Sequence, residues 1–230
     1  MFDLTPGEIE ALRLSVKVGL VSMIASLPVG FGLAYLLARC EFPGKSLVNG
    51  LVLLPLVLPP VVTGLVLLML FGSNGPVGQF FERTFGLTFA FRWTGAALAA
   101  AIMGLPLMVR AMRLSIEAVD RRFELAARTL GARPWRTFFT ITLPLSLPGV
   151  MAGAILSFAK SFGEFGATIT FVSNIPGETQ TLPIAIYSLL QTPGGDGPAL
   201  RLAVLSVIVS MLAIIGAEWV ERRIKAARRT

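Results

Sequence analysis

Histidine is absent from this 230-residue chain, and cysteine occurs once, at Cys40. Those gaps remove disulfides, the usual zinc ligand sets and any histidine-based acid–base pair. Paired acidic clusters are also missing, which disfavours an intramembrane enzyme. Charge is scarce: 14% of residues are Asp, Glu, Lys or Arg, against about 25% in a soluble domain. With 54% hydrophobic residues and a mean hydropathy of +0.76, the shortfall points to lipid as the solvent.

What charge remains is mostly basic, +7 net. A nucleic-acid partner would need a basic face on a water-soluble fold, and none is available. Lys and Arg beside long apolar runs instead mark the cytoplasmic flanks of membrane spans.

A crossing takes roughly 20 apolar residues. Runs at 18–38, 46–70, 93–109, 137–159 and 202–217 approach or meet this, predicting spans over about 12–38, 46–71, 93–115, 140–172 and 200–220. The first run is too long for a cleaved signal peptide and is expected to stay attached. Pro55, Pro59 and Pro60 must bend or break the second span. The apolar piece 182–190 is too short to cross and reads as a re-entrant or interfacial helix, a full crossing being the minor alternative. Basic residues number two in 39–45, seven in 110–136 and five in 222–229, against two in 73–92 and none in 174–198. This asymmetry predicts the N-terminus outside and both the 110–136 segment and the C-terminus inside, with Arg13 and Lys17 dissenting mildly. One domain, 1–230, is the simplest division, with no internal repeat. Five helices are few for a pore, so a homodimer with the path on its symmetry axis is expected.

The most specific segment lies between the third and fourth spans, the loop 118–144. Asp120 fits a helix cap, Phe123, Ala126, Ala127 and Leu130 make a modest apolar face, and Gly131 fits a left-handed stop. Small alanines let a partner approach the backbone closely. The bland alternative is an amphipathic connector on the membrane surface. Nine residues after Gly131 follow Ile141, Leu143 and Pro144. This spacing resembles the EAA loop of ABC importer permeases, through which they dock an ATPase. Ala126, Ala127, Gly131, Ile141, Leu143 and Pro144 are in register, whereas Leu125 occupies the glutamate's place and Glu124 stands one residue early. The chain itself has no P-loop: Gly44-Lys45-Ser46 lacks the first glycine, Arg39 standing there.

In the fourth span, Ser157, Ser161, Glu164 and Thr168 recur at i, i+4, i+7 and i+11, which places them on one polar helical face. Two readings fit: a face bordering a translocation path, or a buried Lys160–Glu164 ion pair between helices. For Glu164 itself the second is favoured. Gly149 and Gly153, and the Gly163, Gly166 pair, read as packing glycines.

Further stretches, 39–45, 54–60, 161–168 and 174–179, are similar to molybdate ABC transporter permeases over nearly the whole chain, the first and third also to sulfate permeases. The resemblance implies an all-α type I importer permease fold of about five transmembrane helices plus a cytoplasmic coupling helix. It also implies a homodimer in a bacterial cytoplasmic membrane, a separate ATPase dimer that uses ATP, and an external protein that delivers molybdate or tungstate. This chain would bind no cofactor, metal or nucleic acid. A sulfate importer permease is the nearest alternative. A stand-alone carrier is a remote one, since it would need inverted repeats.

Overall fold

The computed structural model describes residues 4–227, and every regular element among them is helical. In chain order these are α1 (Pro6–Arg39), α2 (Lys45–Val57), α3 (Pro60–Phe71), α4 (Pro76–Phe85), α5 (Trp93–Glu117), α6 (Arg121–Thr129), α7 (Pro134–Thr137), α8 (Leu143–Phe162), α9 (Gly166–Val172), α10 (Leu182–Leu190) and α11 (Asp196–Ala227). A π-helical turn, Phe138–Thr142, joins α7 to α8. Four helical segments are long and apolar enough to cross a membrane, and five if α2 and α3 count as one bent span.

α1 begins where Thr5 and Glu8 form a reciprocal capping box with Pro6 in the first turn. Arg201 of α11 donates to the same Glu8 carboxylate at 2.6 Å, tying the last helix to the first. The two dissenting cations also find places at this end of the bundle. Lys17 lies 3.5 Å over the Trp93 ring, and both it and Arg13 line a cavity with Glu10 and Gly177.

α1, α5 and α8 form the centre, and small residues let them approach closely. A side chain on Gly149 would collide with Ser115, and one on Gly153 would meet the Met108 carbonyl oxygen at 2.8 Å. Both glycines therefore pack α8 on α5, as the sequence suggested.

The second span breaks at Leu58–Pro59, where α2 and α3 meet at a bend of 114°. Val48 and Val52 of α2 pack beside Met108, Met112 and Ile116 of α5, whereas Leu67 of α3 packs near Ala96, Ala97 and Ala100. The bent pair thus follows α5 from its Glu117 end to its Trp93 end.

The expected fourth span, 140–172, is corrected. α8 stops at Phe162, and the chain re-enters a helix only at Gly166. Ser157 and Ser161 therefore lie on one helix, Thr168 on another and Glu164 between them. Gly166 abuts Pro60, so the two breaks lie side by side.

α10 has nine residues, about 13 Å of helix, which is too short to cross. Its Leu182 amide donates to Ser15 Oγ at 2.7 Å, fixing it against α1. α4, in a stretch expected to be a connector, starts at Gly75-Pro76 and stops at Gly86 in the left-handed region, with Phe81 packed on Phe71 and Phe89. The side chains of the basic tail, 222–229, fall outside the described residues.

Candidate functional site: the 118–144 loop and the intramembrane ion pair

The loop is built as its residues dictate. Asp120 accepts the Arg122 amide at 2.9 Å and caps α6. Gly131 adopts φ +81°, and the Ala132 amide returns to the Ala127 carbonyl at 3.0 Å, closing the helix. Pro134 opens α7, and the π turn then inserts an extra residue before Leu143 and Pro144 start α8. Phe138, in that turn, packs edge-on against Phe31 and Tyr35 of α1.

Phe123 and Ala126 are exposed, Ala127 is half-buried, and Leu130 and Trp135 are 88% and 76% exposed. Leu125 and Phe139 are exposed as well, as are Arg121, Arg122, Arg128, Arg133 and Arg136, so this short segment presents several large apolar side chains and five arginines to its surroundings. Ile141, Leu143 and Pro144 are half-buried and join the loop to the bundle.

Glu124, out of register with the motif, has a definite place. Its Oε1 accepts a hydrogen bond from Thr142 Oγ1 at 2.8 Å and lies 3.2 Å from Arg39 Nη2. Arg39 Nη2 also donates to the Val119 carbonyl at 2.9 Å, while its Nε is buried without a partner. Glu124 and Arg39 together thus join the end of α1, the turn after α5, α6 and the π turn that leads into α8. Sequence reasoning did not assign Arg39 or Thr142 to this site. The available signals were Arg39 closing a long apolar run and Thr142 inside the Ile141, Leu143, Pro144 motif. Nearby, Lys45 donates to Glu41 at 2.8 Å, and this hydrogen bond, with the lysine's charge, holds the Glu41 carboxyl below its usual range.

Ser157, Ser161, Glu164 and Thr168 are all buried within the single chain. Ser161 Oγ lies 3.0 Å from Ser22 Oγ of α1, and Ser157 packs on Gly104 of α5, so these two hydroxyls face neighbouring helices. The Lys160–Glu164 ion pair is present at 2.8 Å, with the other Glu164 oxygen accepting the Ala167 amide at 3.0 Å. In the 173–181 segment, Thr179 Oγ1 accepts the Ile175 amide and donates to the Ser173 carbonyl, so its hydroxyl is already engaged.

A bundle of membrane-length helices, two of its spans broken at adjacent points, with an apolar and arginine-rich helical loop at one end, defines a membrane transport subunit. Residues 26–226 match the model for "Binding-protein-dependent transport system inner membrane component", and the chain belongs to that family. It is a multi-pass inner-membrane protein and a transport permease subunit rather than an enzyme. It is 56% identical over 219 residues to the molybdenum transport system permease protein ModB of Escherichia coli K12, covering 95% of this chain and 96% of that protein. To the ModB of Haemophilus influenzae it is 55% identical, covering 95% of both. A bacterial ABC transporter that imports the acidic polysaccharide alginate shares the fold, with a TM-score of 0.75 at 16% identity over 96% of this chain and 81% of that one.

Proposed function

We propose that this chain is the transmembrane subunit of an ATP-driven importer for molybdate, and for the similarly shaped tungstate. It works as a pair of identical copies with two ATPase subunits on the cytoplasmic side and a substrate-binding protein outside. The observation that carries this reading is the identity to molybdenum permeases along almost the entire length of both chains. The structural support is the 118–144 loop: its exposed apolar side chains and arginines suit a groove on a water-soluble partner.

In this reading the N-terminus is outside, and α6 and the C-terminus are cytoplasmic. ATP binding moves the docked α6, and the Glu124 contacts transmit that displacement to α1 and α8, which share the carboxylate through Arg39 and Thr142. The bend between α2 and α3 and the break between α8 and α9 are the places where opposite halves of the bundle move separately.

Purified chain in liposomes tests the proposal. Molybdate uptake is expected only when ATPase, binding protein and ATP are all present; uptake by the chain alone would overturn it.

A further inference from the structure

Lys160 stands out because of its depth. Its helix neighbours place it in the middle of the bundle: the adjacent Ser161 touches Ser22, near the centre of α1, and Ser157 packs on Gly104, near the centre of α5. Lys17, beside Trp93, and Arg39, beside Val119, lie nearer the ends of the bundle, and Arg110 lies between the middle of α5 and its Glu117 end. An ammonium at mid-depth costs several kcal/mol against lipid, so such groups face protein or water.

The surroundings agree. Lys160 keeps 28% of its side-chain surface exposed in the single chain, whereas its partner Glu164 keeps 2%. Just after it the chain breaks at 163–165, where Gly163 is exposed, and beyond that break Gly166 abuts Pro60 at the Leu58–Pro59 break. Interrupted backbone at this depth borders protein or a water-filled space rather than acyl chains.

We propose that Lys160 is a transit site for the oxyanion, an inference that rests on the functional reading above. The ammonium leaves the Glu164 carboxylate for a substrate oxygen as the layer opens, and returns when the anion has passed. Two copies of the chain supply two ammonium groups and two carboxylates, so the layer is neutral overall and holds the dianion through its ammonium contacts alone. Glu164 remains anchored by the Ala167 amide and repels the anion, which keeps the stay short. A transport path needs exactly such a balance between entry and release.

The test uses the complete complex with ATPase and binding protein in liposomes, where wild-type molybdate uptake checks the functional reading separately. The Lys160→Gln, Glu164→Gln double variant removes both charges without stranding either. Its assembly and ATP hydrolysis are expected to persist while uptake per assembled complex falls about tenfold, the size of one lost charge-assisted contact. Lys160→Arg retains most uptake. Charge is separated from packing with Lys160→Cys in a Cys40→Ser background, modified by an aminoethyl or an ethyl thiosulfonate. The cationic adduct restores uptake and the neutral one does not. Wild-type uptake by the double variant, or equal uptake by the two adducts, would overturn the proposal.

Discussion

Glu124 Oε1 lies 3.2 Å from Arg39 Nη2, across 85 positions of sequence, and takes the Thr142 hydroxyl at 2.8 Å on the same oxygen. The Arg39 side chain is 8% exposed, so removing the carboxylate strands a buried guanidinium. The pair therefore determines how firmly α6 is held to the helices it is proposed to move.

Glu124→Ala should leave membrane insertion intact but destabilise the junction by about 2 kcal/mol, the cost of an unsatisfied buried charged group. Reconstituted complex is expected to hydrolyse more ATP per molybdate imported. An unchanged ratio would remove Glu124 from the transmission route.

At Gly131 the φ of +81° is the constraint, since a Cβ there meets nothing within 4 Å. Gly131→Val should cost about 1–2 kcal/mol and misdirect the chain after α6, lowering uptake. Gly131→Asn, which tolerates the left-handed region, should stay near wild type. Similar uptake by the two variants would show that the turn's geometry is not limiting.

Leu130→Asp and Trp135→Asp replace side chains that touch little within the chain. Thermal stability of the isolated subunit should change by no more than about 0.5 kcal/mol, whereas recovery of ATPase on affinity-purified complex should drop several-fold. Normal recovery with both variants would move the docking surface elsewhere.

Gly149→Val places a branched side chain where Ser115 and the Ala111 carbonyl already stand. Backbone cannot yield as a flexible side chain does, so the α5 and α8 contact should open at a cost of about 3 kcal/mol or less, by overpacking. Membrane levels of the protein report this. The same change at Gly32, which has no neighbour within 4 Å, serves as the control.

Several features were legible locally. The three prolines at 55, 59 and 60 announced a broken span because proline removes an amide wherever it stands. Asp120 and Gly131 marked the ends of α6 because caps depend on a few adjacent residues. The four-residue spacing of Lys160 and Glu164 made an ion pair one of two readings, and the two lie 2.8 Å apart although Glu164 stands beyond the end of α8. The continuous polar face from Ser157 to Thr168 was not legible: Gly163 gives no compulsory stop, and α8 ends there in the structure with Gly166 lodged against Pro60.

Composition and short-range pattern by themselves determined the solvent, the long apolar helices and the loop motif, because hydrophobic length and capping act within one segment. Tertiary structure alone decided what the loop holds. Arg39 ends α1, Val119 lies in the turn after α5, Glu124 is in α6 and Thr142 in the π turn, and only packing brings their polar groups within reach. The displacement of Glu124 from its motif position reads in one dimension as a mismatch. In three dimensions it places that carboxylate at the junction of the loop with the bundle.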